Sequence, residues 1–157
     1  MLVRDYTELD FRAVCRIYID AKRDELQFES GEFEITPLDQ DAVILAAFKE
    51  STVVVFEDSE VLGFAAVHDN QLRALFVRRD ARGIGVGQAL LDAAFSMNAA
   101  GLVLNVAKSN IGARKFYLRN GFLAVGEADR TYHDKTITYI QMKFASLNAN
   151  VWQQPTD

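Results

Sequence analysis

One cysteine, two prolines and two histidines are all that 157 residues contain of those types. The lone Cys15 excludes an internal disulfide, which suits a reducing compartment. With His68 and His133 it falls short of a conventional zinc ligand set, so no metal is expected. Pro37 and Pro155 leave no proline-rich linker. No apolar run reaches the ~20 residues that a membrane helix needs. The first residues, MLVRDYTELDF, carry acids where a signal peptide has its apolar segment. No repeat or low-complexity stretch is visible. These absences set the expectation of a cytoplasmic protein without a membrane partner. One domain is expected over 1–145, followed by a polar tail over 146–157.

What is present fits a globular domain: half the residues are hydrophobic and a quarter are charged. A chain of this length can bury ~70% of its unfolded surface without a staple. The formal net charge of −5 argues against nucleic acid as a partner. It conceals two opposed runs. Residues 24–60 hold eleven acids and one base, Lys49, while residues 73–119 hold eight bases and two acids. The first could attract cations and the second a polyanion.

Periodicity and turn chemistry give the element order. A strand at Val3–Asp5 leads into a helix capped by Thr7, with Asp10 completing a capping box. Thr36-Pro37 is read as opening a second helix, whose apolar face runs from Ala42 to Phe48. Strands follow at Thr52–Glu57, Val61–Val67 and Leu72–Val77, separated by turns at Asp58-Ser59 and Asp69-Asn70. Their nearly unbroken apolar runs suit strands buried on both faces. A helix from about Gly83 to Asn98, a strand at Leu102–Val106 and a helix at Ile111–Asn120, ended by Gly121, come next. Strands at Phe122–Val125 and Thr136–Phe144 close a mixed α/β sheet covered by helices.

The chemistry concentrates in Leu72–Leu91. A strand ends in a basic loop, three alternating glycines follow (Gly83, Gly85, Gly87), and an amphipathic helix begins. Glycine lets a backbone approach a ligand closely. The unpaired N–H groups and positive dipole end of a helix start attract anions, phosphates above all. Gly87 is followed by Gln88-Ala89, so this is not a P-loop, and the glycine spacing does not fit a dinucleotide fingerprint.

The run Arg82-Gly-Ile-Gly85-Val-Gly87 resembles the Q/R-x-x-G-x-G/A motif of the GNAT superfamily of acetyl-CoA-dependent N-acetyltransferases. The run Asn110-Ile-Gly-Ala113-Arg-Lys-Phe116-Tyr117-Leu-Arg-Asn-Gly121-Phe122 is similar to the superfamily's N-x-x-A-x-x-F-Y-x-x-x-G-F segment. The two lie in the right order, each on the expected element, and cover about Val53–Phe122. Leu72–Val77 and Asn105–Asn110 look most like small bacterial members of the YjaB type. The resemblance implies a mostly antiparallel central sheet with splayed strands, flanked by about four helices. It also implies acetyl-CoA as cosubstrate, coenzyme A as product, and a small-molecule amine or peptide as acceptor. Members of the superfamily are often dimers, which leaves a homodimer open.

The resemblance also implies residue roles. Main-chain groups of Leu75, Phe76 and Val77 would pair with the pantetheine arm as a false strand does. The Val77 N–H would face the thioester carbonyl and polarise it. Arg82 and the N–H groups of Gly83, Gly85, Val86, Gly87 and Gln88 would hold the pyrophosphate. Asn110 would bond the cofactor arm, or simply cap its helix. Tyr117 matches the tyrosine that gives a proton to the departing thiolate, or else packs as a helix-face aromatic. Some members carry a carboxylate or histidine base near the start of the splayed strand; Leu72-Arg73 stand there, and arginine is no base. Glu25, Glu29, Glu34 and His68 remain as candidates.

Acceptor recognition in the superfamily comes from the segment after the first helix and from the last hairpin, here about Arg23–Thr36 and Arg130–Lys135. Arg23, Glu25, Phe28, Glu29 and Arg73 are the candidate acceptor contacts. An acidic pocket with aromatic walls would favour a cationic amine, whereas Arg23 and Arg73 would suit a carboxylate. The reading is direct acetyl transfer in a ternary complex. The alternative is a non-catalytic acyl-CoA-binding protein on the same scaffold.

Overall fold

A computed structural model describes residues 2–98 and 100–145. The expected tail over 146–157 lies outside the described residues. The strands are β1 (Leu2–Asp5), β2 (Thr52–Asp58), β3 (Glu60–His68), β4 (Gln71–Val77), β5 (Val103–Ala107), β6 (Phe122–Tyr132) and β7 (Lys135–Phe144). The helices are α1 (Phe11–Glu25), α2 (Ala42–Glu50), α3 (Val86–Met97) and α4 (Ile111–Arg119). The strands form one sheet in the order β1-β2-β3-β4-β5-β7-β6. Every neighbouring pair is antiparallel except β4 and β5.

The continuous apolar runs of β2 and β3 follow from cores on both faces of the sheet. Val54, Ala65 and Val67 meet Val86, Leu90, Leu91 and Ala94 of α3. The alternate residues Val53, Val55, Phe64 and Ala66 meet Val14, Ile17 and Tyr18 of α1 and Phe48 of α2. Side chains alternate across a strand, so one strand serves both cores. Cys15 packs, partly buried, against the α1 core. The α1 start is held as expected: the Asp10 carboxylate accepts from the Thr7 N–H at 2.9 Å. Arg4 then grips the same carboxylate with two bonds of 2.9 Å.

Three expectations differ from the fold. The second helix does not open at Pro37. Pro37 leads a single 3-10 turn over Leu38–Gln40, pinned by the buried Leu38, and Asp41 caps the helix proper by accepting from the Ile44 N–H at 3.1 Å. Of its expected apolar face only Phe48 is buried, while Val43 is 77% exposed. The third helix starts at Val86, because Gly83 (φ +79°) and Gly85 (φ +93°) adopt left-handed backbone. Strand β6 runs to Tyr132 and not to Val125. It pairs with β7 along its length, around a tight turn at His133-Asp134 whose φ values are both positive. Beyond the buried Phe122 its sequence is exposed and increasingly polar, which hid the rest of the strand, since there β7 carries the buried residues.

Candidate functional site

Strands β4 and β5 share one bridging pair, Gln71↔Val103, and then part. On its other side β4 stays paired with β3 to Val77. The Arg78 N–H donates to Leu62 O at 2.8 Å, while Val77 O accepts from Arg82 Nε at 3.1 Å. Main-chain groups alternate in direction along a strand. The main-chain groups of Phe76 and Arg78 therefore face β3, and the N–H groups of Leu75 and Val77 face the gap left by β5, so of the three residues expected to offer main-chain groups to a cofactor arm, Phe76 does not.

The start of α3 closes one end of that gap. The first bond within the helix runs from the Ala89 N–H to Gly85 O at 3.0 Å. The N–H groups of Val86, Gly87 and Gln88 thus have no partner inside the helix. The Val86 side chain is buried in the core, and the Gln88 amide turns to Asp92 and Asn120, 3.0 and 2.9 Å away. Gly87 differs from its two neighbours in the motif, because its backbone does not need glycine. A Cβ there would point at Val77 and Phe116, both lining the gap, at contact distances of 3.7 and 3.9 Å.

A carboxylate already stands against the basic loop. Asp24, in the last turn of α1, accepts from Arg79 Nη2 at 2.8 Å and from Arg82 Nη1 at 2.7 Å. Burial works to raise the Asp24 pKa, but the two arginines outweigh it and hold the group below the usual carboxylate range. Arg78 is engaged elsewhere, with Asp80 and Glu60.

Two cavities meet at the splay. One, of about 550 Å³, runs along the gap edge of β4 and is lined by Leu75, Val77, Arg82, Gly83, Gly85, Gly87, Gln88, Asn110 and Tyr117 among others. The second, of about 540 Å³, lies on the α1–α2 face beneath the β6–β7 hairpin, with Tyr18, Lys22, Arg130, Tyr132 and Tyr139 in its walls. Six residues line both: Leu72, Arg73, Ala74 and Phe76 of β4, Asn105 of β5, and Glu25.

Tyr18, Lys22 and Glu25 share one face of α1, at i, i+4 and i+7. The Lys22 ammonium lies 2.7 Å from the Glu25 carboxylate, with both side chains only 15% exposed. It also sits 5.4 and 6.0 Å from the ring centres of Tyr132 and Tyr139. Burial opposes its charge, yet Glu25 and Tyr139 more than compensate and raise its pKa. In α4, Asn110 Oδ1 caps the helix by accepting from the Ala113 N–H at 3.3 Å. Its Nδ2 has no partner among the described residues. Tyr117 is 9% exposed and packed between Phe116 and Phe122. Burial, then the charge of Glu25, push its phenol well above the ordinary value, so it is protonated at neutral pH.

The five candidate acceptor contacts are not all gathered here. Glu25 and Arg73 stand at the junction of the cavities. Arg23 lies 3.5 Å from Asp20 on the exposed side of α1. Phe28 is 67% exposed, and Glu29 accepts a hydrogen bond from Ser109; neither lines either of these two cavities. The acidic run as a whole is dispersed: Asp24, Glu50, Glu57 and Glu60 each pair with an arginine of another segment. The second cavity keeps its aromatic walls but mixes Lys22, Arg73 and Arg130 with Glu25 and Asp41. Lys22, Tyr139 and Asp24 were missed in the sequence. The i,i+3 spacing of Lys22 and Glu25 was the one available signal, since Asp24 meets partners 55 and 58 residues away.

The family model for an acetyltransferase (GNAT) domain matches residues 33–146. Peptidyl-lysine N-acetyltransferase YjaB of Escherichia coli (strain K12) is 38% identical over 77 residues, and that of Salmonella typhimurium (strain LT2) is 35% identical over 77 residues. Each alignment takes 49% of this chain and 52% of the relative, so the chain spans about half the length of the curated relatives it matches. The apo solution structure of E. coli YjaB superposes with a TM-score of 0.72 at 24% identity, covering 91% of this chain and 96% of that one. A GCN5-related N-acetyltransferase from Rhodopseudomonas palustris reaches 0.75 at 17% identity, covering 92% and 95%.

Proposed function

The chain belongs to the GNAT acetyltransferase family, and on that premise we propose that it moves the acetyl group of acetyl-CoA to a primary amine within a ternary complex. The observation that carries the reading is the pair of cavities joined at the β4–β5 splay, one suited to an extended anionic cofactor and the other to its acceptor.

The residues present fit acetyl-CoA. The outward N–H groups of Leu75 and Val77 offer a free strand edge to the amides of the pantetheine arm, while the Phe76 ring packs against Tyr18 and Phe64. Arg82, the turn at Gly83 and Gly85, and the N–H groups of Val86, Gly87 and Gln88 offer a nest for the pyrophosphate. The missing side chain of Gly87 leaves room for it. Asn110 has a spare Nδ2 for the arm while its Oδ1 caps α4.

When bound, acetyl-CoA supplies an activated acyl group. The Val77 N–H polarises the thioester carbonyl. Tyr117 keeps its phenolic proton at neutral pH and gives it to the sulfur on which the electron pair of the broken C–S bond is left. The acceptor enters by the second cavity, against Tyr18, Tyr132 and Tyr139. The curated relatives are named peptidyl-lysine acetyltransferases. That name, together with a cavity open to the surface beside Val43 and Ile44, supports the side-chain amine of a peptide as acceptor.

The test is release of free CoA thiol from acetyl-CoA with a panel of lysine peptides and small amines, beside calorimetry of acetyl-CoA binding. Release with at least one amine is expected. Binding without release from any amine would leave a non-catalytic acyl-CoA-binding protein; absence of binding would overturn the reading.

A further inference from the structure

We propose that Glu25, at the last turn of α1, is the proton acceptor for the incoming amine, held in place by Lys22. The inference rests on the acetyl-transfer reading above and adds the group that the β4 strand does not provide.

An ammonium acceptor becomes a nucleophile only after it loses a proton. A base must therefore stand where the two cavities meet. Among the described residues Glu25 is the one carboxylate that lines both; Asp24 lines only the cofactor side and Asp41 only the acceptor side. Of the other candidates, Glu29 accepts a hydrogen bond from Ser109, and neither Glu29 nor Glu34 lines either cavity. Arg73 occupies the junction on β4, where it donates to Ala47 O at 3.1 Å and pairs with Glu50. His68 lies at the far end of β3, 3.3 Å from Glu50 O and 3.6 Å from Asp69, and lines neither cavity. Asp41 Oδ1 is engaged as the cap of α2.

The charged and titratable groups around Glu25 come from every element packed there. Lys22 and Tyr18 share its helix face, Tyr117 comes from α4, Tyr139 from β7, Arg73 from β4, and Arg130 and Tyr132 from β6. Lys22 contacts the carboxylate directly and is itself fixed by the rings of Tyr132 and Tyr139. It is a positioning residue: it sets the direction of the carboxylate without touching the reacting atoms.

Glu25 also couples the two proton transfers. Its negative charge helps to keep the proton on Tyr117. When Glu25 takes a proton from the amine, an N–H bond breaks, an O–H bond forms and the nitrogen keeps the electron pair. The smaller of the two influences that hold the Tyr117 proton is then gone, burial remaining the larger, as the N–C bond forms and the C–S bond breaks. An ammonium loses two protons in becoming an amide. The first passes to Glu25 and from there to solvent, and the second, released as the tetrahedral adduct collapses to the amide, replaces by way of solvent the proton that Tyr117 gives to the sulfur, so that both groups are restored.

The test compares wild type with Glu25→Gln and Glu25→Asp, using a lysine peptide with its α-amine blocked, over a pH series, with acetyl-CoA calorimetry as the control. Glu25→Gln should lower kcat/KM by about 10²-fold or more and abolish the acid-side fall in its pH profile, with acetyl-CoA affinity within about twofold of wild type. Glu25→Asp should keep the acid-side fall at a reduced rate, which a merely structural role for Glu25 would not produce. Lys22→Met should lower kcat with an acid-side fall still present. A Glu25→Gln protein with wild-type turnover, or with its acid-side fall unmoved, would overturn the assignment while leaving acetyl transfer intact. A wild type that turns over no amine would overturn both together.

Discussion

Two residues decide whether the proposed chemistry belongs to this chain. Tyr117 is enclosed by Phe116 and Phe122, and burial together with Glu25 keeps it protonated. Tyr117→Phe preserves that packing and removes only the hydroxyl. Turnover should fall by about 10²-fold or more, with acetyl-CoA affinity by calorimetry nearly unchanged; equal turnover would assign the thiol proton to another donor. Gly87 tests the proposed cofactor groove more cleanly than Gly85. Gly85 holds φ +93°, where any other residue adds strain of about 1–2 kcal/mol, so lost binding there would be mixed with lost stability. Gly87 is helical, and a side chain gains helix propensity of up to ~1 kcal/mol. Gly87→Leu should therefore abolish acetyl-CoA binding by calorimetry without lowering the melting temperature. The motif spacing made these positions legible in the sequence. Which glycine serves the backbone and which serves the groove was not, because that depends on φ.

At the scale of elements, α1 carries most of what the sequence could not place. Its start was readable, since Thr7 and Asp10 form a local box. The grip of Arg4 on Asp10 was not, because it depends on β1 lying beside the helix. Arg4, foremost among the causes, holds the Asp10 pKa below the usual carboxylate range against the opposing effect of burial. Such a group stabilises the fold above its unfolded pKa of ~3.9, and the stabilisation is lost as pH falls through the depressed folded value. Asp10→Ala should cost about 2 kcal/mol near neutral pH, from the lost cap and charged bonds. Thermal melts should show the gap to wild type closing progressively as the solution is acidified below about pH 4. A gap that stays constant with pH would mean that packing, and not the ion pair, is what Asp10 contributes. The β6–β7 hairpin teaches a related lesson. The sequence placed an acceptor-side hairpin at Arg130–Lys135, but periodicity stopped β6 seven residues early because its exposed face carries no apolar signal.

At the scale of the whole molecule, the fold class, the element order and the two-sided burial of the sheet were all carried by pattern. Charge was not, because patterning along the chain says nothing about which segments meet. The opposed runs of acids and bases meet in part: Arg73, Arg78, Arg79 and Arg82 pair with Glu50, Glu60 and Asp24 across the sheet edge and the loops. Asp24 between Arg79 and Arg82 gives this a consequence in ionic strength. If the pyrophosphate takes those arginines, binding becomes an exchange of anions, in which the arginines are neutralised before the ligand arrives as well as after. Salt then screens the free and the bound states almost alike, and acetyl-CoA affinity should vary less with salt than so basic a loop suggests. Asp24→Asn would leave the arginines bare in the free protein. Calorimetry should find it binding acetyl-CoA more tightly at low salt and losing affinity more steeply as salt rises, and a salt dependence parallel to wild type would place the phosphates elsewhere. The carboxylate at the mouth would then act as an ion-exchange counter-charge, trading some affinity for a cofactor grip that is insensitive to ionic strength.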